Sequence, residues 1–201
     1  MTDTILGSDK AKSKKYDLGR DWSLFPDYEA AKKGLLNYWY PVEWSRRLKN
    51  KPIALKLCGE KIVLNRDREG NARALHNRCP HRGVELSQGK QWFPDTLSCA
   101  YHGWTFNLKT GDLVAVITDG PDSTMCGKAA VKTFPVEERI GLIWIYVGDQ
   151  PAHPLKDQLP EELVDPPKYA VGGRIEDRSG DWRLYAENGF DEGHAKYLHR
   201  T

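Results

Sequence analysis

The sequence has no long hydrophobic run. No stretch approaches the roughly 18 apolar residues that a membrane-spanning helix requires, so no membrane partner is expected. The opening segment, MTDTILGSDKAKSKK, also lacks the apolar run and small-residue cleavage site of a secretory signal. A cytoplasmic, reducing setting is therefore expected. Charge of one sign is lacking too. Thirty basic and 28 acidic side chains leave a net charge of +2, which gives no basic face for nucleic acid. Cysteine is scarce, with four in 201 residues. That is too few for a disulfide scaffold, and in a reducing compartment such cysteines read as ligands or free thiols. What remains is 39% hydrophobic and 29% charged, enough for a core with a polar surface, in one large domain or two small ones.

Three texture changes divide the chain. Residues 1–37 open lysine-rich and weakly patterned, with a disorder-like composition to about Lys15. A short helix is expected over Asp27–Leu36 with Asp27 as its cap. From 38 to 150, short runs of Val, Ile, Leu and aromatics alternate with turn residues. Strands are expected at Tyr38–Val42, Ile53–Leu57, Lys61–Asn65, Ala72–His76, Thr96–Ala100, Thr105–Asn107, Lys132–Val136 and Gly141–Val147. Marked turns fall at Asp67–Asn71 and Lys109–Asp112. This spacing predicts a mainly β, antiparallel sandwich or barrel. Residues 151–201 begin as a proline-rich linker and continue as a helical, polar-aromatic segment, DWRLYAENGFDEGHAKYLHRT.

Inside the strand-rich part lie CPHRG at Cys79–Gly83 and CAYHGW at Cys99–Trp104, separated by residues 82 to 98. Each loop offers one thiolate and one imidazole. A Rieske-type [2Fe–2S] cluster needs that mixture, with two Cys on one iron and two His on the other. Cys79, His81, Cys99 and His102 are the candidate ligands. Gly83 and Gly103 follow the histidines, where a tight loop must bring backbone N–H groups near sulfur. Pro80 stiffens the first loop, and Trp104 is placed to wall one side of the site from water. The rival readings are a Cys2His2 zinc site and a coincidence of buried cysteines with core histidines. Zinc favours Cys-x-x-Cys knuckles followed by a His pair, not this mixed order. Cys58, in an apolar run, and Cys126, in a polar loop, have no ligand-like neighbours and read as ordinary residues.

A second constellation is Asp191, His194 and His199. Asp191 and His194 share a helix face three residues apart. His199 would point about 140° away from His194 on a regular helix. The two imidazoles can meet one ion only if the helix is bent, widened or ended, so a departure from α-geometry is expected between Gly193 and His199. Two histidines and a carboxylate form the facial triad of oxygen-activating Fe(II) enzymes. The spacing of Asp191 suits a partner of His194 better than a direct ligand. By itself this segment also fits a zinc hydrolase or a structural polar helix.

Taken together, the motifs resemble the terminal oxygenase (α subunit) of Rieske non-haem iron ring-hydroxylating oxygenases. NYWYPV, CPHRGVELS, CAYHGWTF and DWRLYAENGFD are similar to its homotrimeric branch, which includes the carbazole and 2-oxoquinoline oxygenases. The resemblance implies a Rieske β-sandwich followed by the start of an α+β, helix-grip-like catalytic domain. It implies one [2Fe–2S] cluster per chain and Fe(II) held by His194 and His199. The third iron ligand would be a carboxylate downstream of Thr201, so these residues are expected to be an N-terminal portion, inactive alone. Asp191 would link the iron centre to a cluster histidine, His102 by analogy, of a neighbouring subunit in a homotrimer. A ferredoxin or NAD(P)H-dependent reductase would supply electrons, and O2 and an aromatic or heteroaromatic ring would be the substrates. Arg78, Arg82 and Lys90 form either a solvated rim or a docking patch for an acidic ferredoxin. The competing functions are a Rieske ferredoxin, which has no need of residues 181–199, and a zinc-binding interaction module.

Overall fold

The computed structural model describes residues 25–120, 122–164, 172–176 and 178–199. The lysine-rich opening stretch and the end of the proline-rich linker lie outside them. The chain divides into two compact units at Ala30/Ala31. In the first, α1 (Pro26–Ala30) is a single turn that begins at its proline. Asp27 therefore lies inside the first turn and does not cap it. In the second unit a 3-10 turn, Ala31–Lys33, ends at Gly34 with φ +122°, so the expected helix to Leu36 stops early.

The second unit is built on three antiparallel sheets. The first pairs β1 (Tyr38–Trp44), β10 (Leu142–Val147) and β9 (Val136–Arg139), in that order. The second runs β2 (Ile53–Leu57), β3 (Glu60–Arg66), β4 (Ala72–His76) and β8 (Thr133–Phe134). The third joins β5 (Thr96–Ser98), β6 (Trp104–Asn107) and β7 (Leu113–Val116). The mainly β, antiparallel expectation holds; two expected strands, Ile53–Leu57 and Ala72–His76, form with the expected ends and most of the others with shifted ends. One strand expected at Lys132–Val136 is two, β8 against β4 and β9 against β10. Pro135 separates them, and a proline cannot donate to a ladder. The strand β7 escaped the sequence reading, because Leu-Val-Ala-Val after a turn reads equally well as a loop edge.

Period-two alternation distributes side chains between cores. On β3, Val63 enters one core while Ile62 and Leu64 enter a second. On β10, Ile143 and Ile145 join that second core, and Trp144 and Tyr146 pack with Trp39 and Leu155 in a third. The first core, around Leu75, Leu86, Leu97 and Phe106, includes Cys79 and Cys99. The linker contributes to packing, since Leu155 on its 3-10 turn is fully buried. Two hairpins close through two-residue loops with both residues at positive φ, Cys58-Gly59 and Ile140-Gly141. Cys58 thus occupies a turn, not a strand. Its half-buried thiol donates to the Leu35 carbonyl, and burial pushes its pKa up, which suits an ordinary, unreactive residue.

The sheets are clamped by charge. The Arg66 guanidinium donates to the Leu48 and Ser45 carbonyls and pairs with Glu138 at 2.8 Å, linking β3, β9 and the turn after β1. Burial pushes the Glu138 carboxyl up, but hydrogen bonds from Arg66 and Ser45 outweigh it and hold the carboxyl below its usual range.

The C-terminal segment folds as α2 (Trp182–Phe190) and α3 (Glu192–Leu198). Asp181 caps α2 through the Arg183 N–H, and the Trp182 indole donates to the Ala31 carbonyl at 2.8 Å. Among the described residues no helix is long and apolar enough to cross a membrane.

Candidate functional site: a two-loop thiolate–imidazole centre

The two cysteine loops share one backbone design. The Cys79 N–H donates to the Val84 carbonyl and the Gly83 N–H to the Cys79 carbonyl, both at 2.8 Å. The Cys99 N–H donates to Trp104 at 2.8 Å and the Gly103 N–H to Cys99 at 3.1 Å. Each five-residue loop closes through its glycine, at φ +75° for Gly83 and +67° for Gly103. A side chain at Gly103 would also strike Ile117, whose Cβ lies 2.6 Å from the place a Cβ would take. The spacing differs, with His at the third position of one loop and the fourth of the other, yet the closed loops deliver equivalent donors.

The loops are held side by side. Lys90 and Ser98 exchange backbone hydrogen bonds at 2.9 and 3.1 Å. Gly89 permits this approach, since a Cβ there would meet the Ser98 carbonyl oxygen at 1.9 Å. Buried Asn77 ties the ends of the first loop, accepting from the Ser87 N–H and donating to its hydroxyl. The Ser98 and Thr105 hydroxyls, 2.8 Å apart, brace the second loop.

Within this frame the four sequence candidates come together in two pairs. Cys79 and Cys99 are 2% and 5% exposed and their thiols interact. The rings of His81 and His102 lie tilted at 57° with centroids 4.7 Å apart, nearer the surface than the thiols. Burial raises the Cys79 thiol to about 11, Cys99 adds to the rise, and the N–H groups of His81 and Arg82 oppose it. Those N–H groups are aimed at sulfur, as a thiolate ligand needs. Inner thiols and outer imidazoles fit a two-iron cluster with two protein donors on each metal. Among the described residues no three His, Cys, Asp or Glu side chains gather around a single point.

Trp104 stacks on His81 at 4.8 Å and 7°, covering that imidazole as its position in the sequence suggests. Tyr101, not singled out by the sequence, lies 3.8 Å from His102 between ring centroids. Its place before the histidine was the available signal. The Thr118 hydroxyl donates to the His102 carbonyl.

The second constellation also assembles, in part. Asp191 breaks the helical path at φ −85°, ψ 88°, and its Oδ1 caps α3 by accepting from the Gly193 and His194 N–H groups. The sequence reading placed Asp191 within a helix and missed this capping role, for which an Asp at the head of a helical run was the available signal. Oδ2 lies 3.5 Å from His194 Nδ1, inside ion-pair range but too long for a hydrogen bond, and that buried nitrogen has no hydrogen-bond partner. The helix stays regular from Glu192 to Leu198, and His199 leaves it at φ −100°, ψ 37°. The departure thus comes as an ending at His199, and it leaves the two imidazoles 5.6 Å apart between centroids. An orphaned ring nitrogen beside a second imidazole and a carboxylate fits a metal-binding role; the described residues hold only part of a ligand set.

Comparison with known proteins agrees with this geometry. Residues 38–135 match the Rieske [2Fe-2S] domain model, and residues 146–201 match that of the homotrimeric ring hydroxylases. The terminal oxygenase component of carbazole 1,9a-dioxygenase from a Sphingomonas species is 44% identical over 177 residues, covering 87% of this chain and 46% of that protein. The vanillate O-demethylase oxygenase subunit of a Pseudomonas strain is 36% identical over 168 residues, covering 82% and 45%. Among solved structures, the terminal oxygenase of carbazole 1,9a-dioxygenase from a Novosphingobium species superposes with a TM-score of 0.78 at 40% identity, covering 87% of this chain and 46% of that one. The chain belongs to the Rieske ring-hydroxylating oxygenases and carries their [2Fe–2S] domain. It spans about half the length of the curated relatives it matches.

Proposed function

We propose that this chain is the electron-accepting part of the terminal oxygenase component of a multicomponent Rieske oxygenase. The observation that carries the reading is the paired arrangement of two buried thiols and two neighbouring, less buried imidazoles on twin loops. Cys79 and Cys99 would hold the inner iron and His81 and His102 the outer one. His194 and His199 would hold a mononuclear Fe(II). When bound, the cluster supplies one-electron transfer and the mononuclear iron supplies O2 activation.

The chain's own residues do the positioning. Both thiols must lose their protons to ligate, and the N–H groups aimed at Cys79 favour that thiolate. Trp104 stacks on His81 and Tyr101 lies against His102, so each imidazole has an aromatic neighbour, and His81 remains the more exposed of the two. Asp191 stations one oxygen near His194 Nδ1 and commits the other to the cap of α3. It is a positioning residue that keeps His194 presented and carries charge at the helix junction. Solved relatives include complexes of the oxygenase with its ferredoxin, which supports a ferredoxin as electron donor here. Names among the relatives range over carbazole, vanillate and 3-chlorobenzoate, which supports an aromatic or heteroaromatic substrate, and the homotrimeric ring hydroxylase match over residues 146–201 supports a homotrimer.

The test is chemical analysis with spectroscopy. The purified protein should contain two acid-labile sulfides per chain with at least two irons, a third iron reporting the mononuclear site, and give a Rieske EPR signal on reduction. In the full-length enzyme Asp191→Ala should slow electron transfer from the cluster while both metals stay bound. Zinc without sulfide would reject the reading.

A further inference from the structure

The strand β1 has β10 on one side, and among the described residues no strand pairs with the other. That open edge is closed by a side chain. The Trp39 N–H donates to the Gln158 side-chain oxygen, and the Gln158 amide donates back to the Trp39 carbonyl, both at 2.7 Å. One glutamine thus supplies the two hydrogen bonds that a facing strand residue would exchange. Pro41, two residues on and turned to the same side, has no N–H to satisfy.

The residues just before Gln158 grip the same sheet. The buried Trp39 indole donates to the His153 carbonyl at 2.7 Å. The Leu155 N–H donates to the Glu137 carboxylate on β9 at 3.3 Å. The Leu155 side chain is fully buried and packs with Trp144 and Tyr146 of β10. Residues 153–158 therefore touch all three strands of the first sheet. Pro154 and Pro160, at φ −57° and −60°, each precede a 3-10 turn and stiffen the chain on both sides of Gln158. A proline-rich spacer acts through stiffness alone and requires no such grip.

We infer that residues 153–158 are a strap that registers the iron-bearing helices against the cluster domain, with Gln158 as its positioning residue. The inference rests on the oxygenase reading above. The helices that follow the strap carry His194 and His199, and electron transfer to an iron held there falls steeply with separation. A misplacement of about 1 Å in a reacting constellation can cost about 100-fold in rate. Gln158 acts on neither ligand set directly, since its side chain is spent on the two backbone groups of Trp39. It fixes where the chain leaves the β-body, and through that where the next segment begins.

The test uses the full-length protein with spin labels on keto-bearing side chains in place of exposed Lys56 on β2 and exposed Leu184 on α2, diluted into unlabelled chains. Pulsed EPR should give one narrow distance distribution in the parent and a broader one in Gln158→Ala. Hydrogen exchange at the Leu155, Asp157 and Gln158 amides, all hydrogen-bonded in the strap, should be slow in the parent and rise about tenfold or more in the variant. Gln158→Met keeps the length without the amide and should match Gln158→Ala, so the test does not hang on one variant folding. In both, transfer from cluster to mononuclear iron should slow about tenfold or more while the cluster's midpoint potential stays at the parent's. Fast exchange of those amides in the parent, or the parent's distance distribution in both variants, would overturn the proposal. Transfer at the parent's rate despite a broadened distribution would also overturn it. A parent protein lacking the cluster signal would sink the oxygenase reading, whereas the distances report on the strap independently.

Discussion

Cys79 and Cys99 are nearly sealed at the base of twin β-loops, closed by backbone hydrogen bonds and packed on Leu86, Leu97 and Phe106. His194 stands on α3 and His199 at its end, and the only buried residue of α2 and α3 is Arg183, with Leu184, Phe190 and Leu198 open to solvent. One donor set is preorganised by its own neighbourhood. The other is set by a helix junction and a cap. Local hydrogen-bonded closure makes the first site a property of the loops, while the second depends on whatever packs against the helices.

The comparison can be broken most directly by removing donors. Cys99→Ser should abolish the visible and EPR signals of the cluster, since one thiolate cannot be replaced by a hydroxyl at a buried iron site. His194→Ala should leave those signals at the level of the parent protein. Loss of the cluster in the second variant would mean the two regions are not independent.

A smaller effect separates the regions by packing. Phe106→Ala empties a fully buried position and should cost about 3–5 kcal/mol in denaturant unfolding. Leu184→Ala, at a position 62% exposed, should change stability by no more than about 0.5 kcal/mol. Equal costs would show α2 to be as tightly packed as the β-body.

The smallest effect is a pH dependence confined to the β-body. The Glu138 carboxyl is held below its ordinary range, so its contribution is complete above the unfolded carboxylate pKa. It is lost as the pH falls through the depressed folded value. The stability gap between the parent and Glu138→Gln should therefore shrink on acidification, and a gap that widens would assign the shift to another group.

Much of the fold was legible where side-chain period and turn chemistry agree, as on β3 and β10. It was not legible where one residue breaks a ladder, as Pro135 does between β8 and β9. The helix expected to Leu36 failed because Gly34 adopts a positive φ. All four cluster candidates were readable, because their chemistry lies in two short contiguous loops. Tyr101 against His102, the Gly89–Ser98 approach and the Gln158 clasp on Trp39 were not readable, since each depends on how the chain is arranged in space.

The sequence by itself determined which candidate donors exist, which glycines let their loops close, and that the helix carrying His194 must bend, widen or end for His199 to approach. Those are local matters, governed by the backbone range of a few adjacent residues. Only the tertiary structure decided that thiols lie inside and imidazoles outside, that Trp104 stacks on one histidine, and that Tyr101 lies against the other. Those outcomes depend on how three sheets share their cores, and no short stretch of chain encodes that alone.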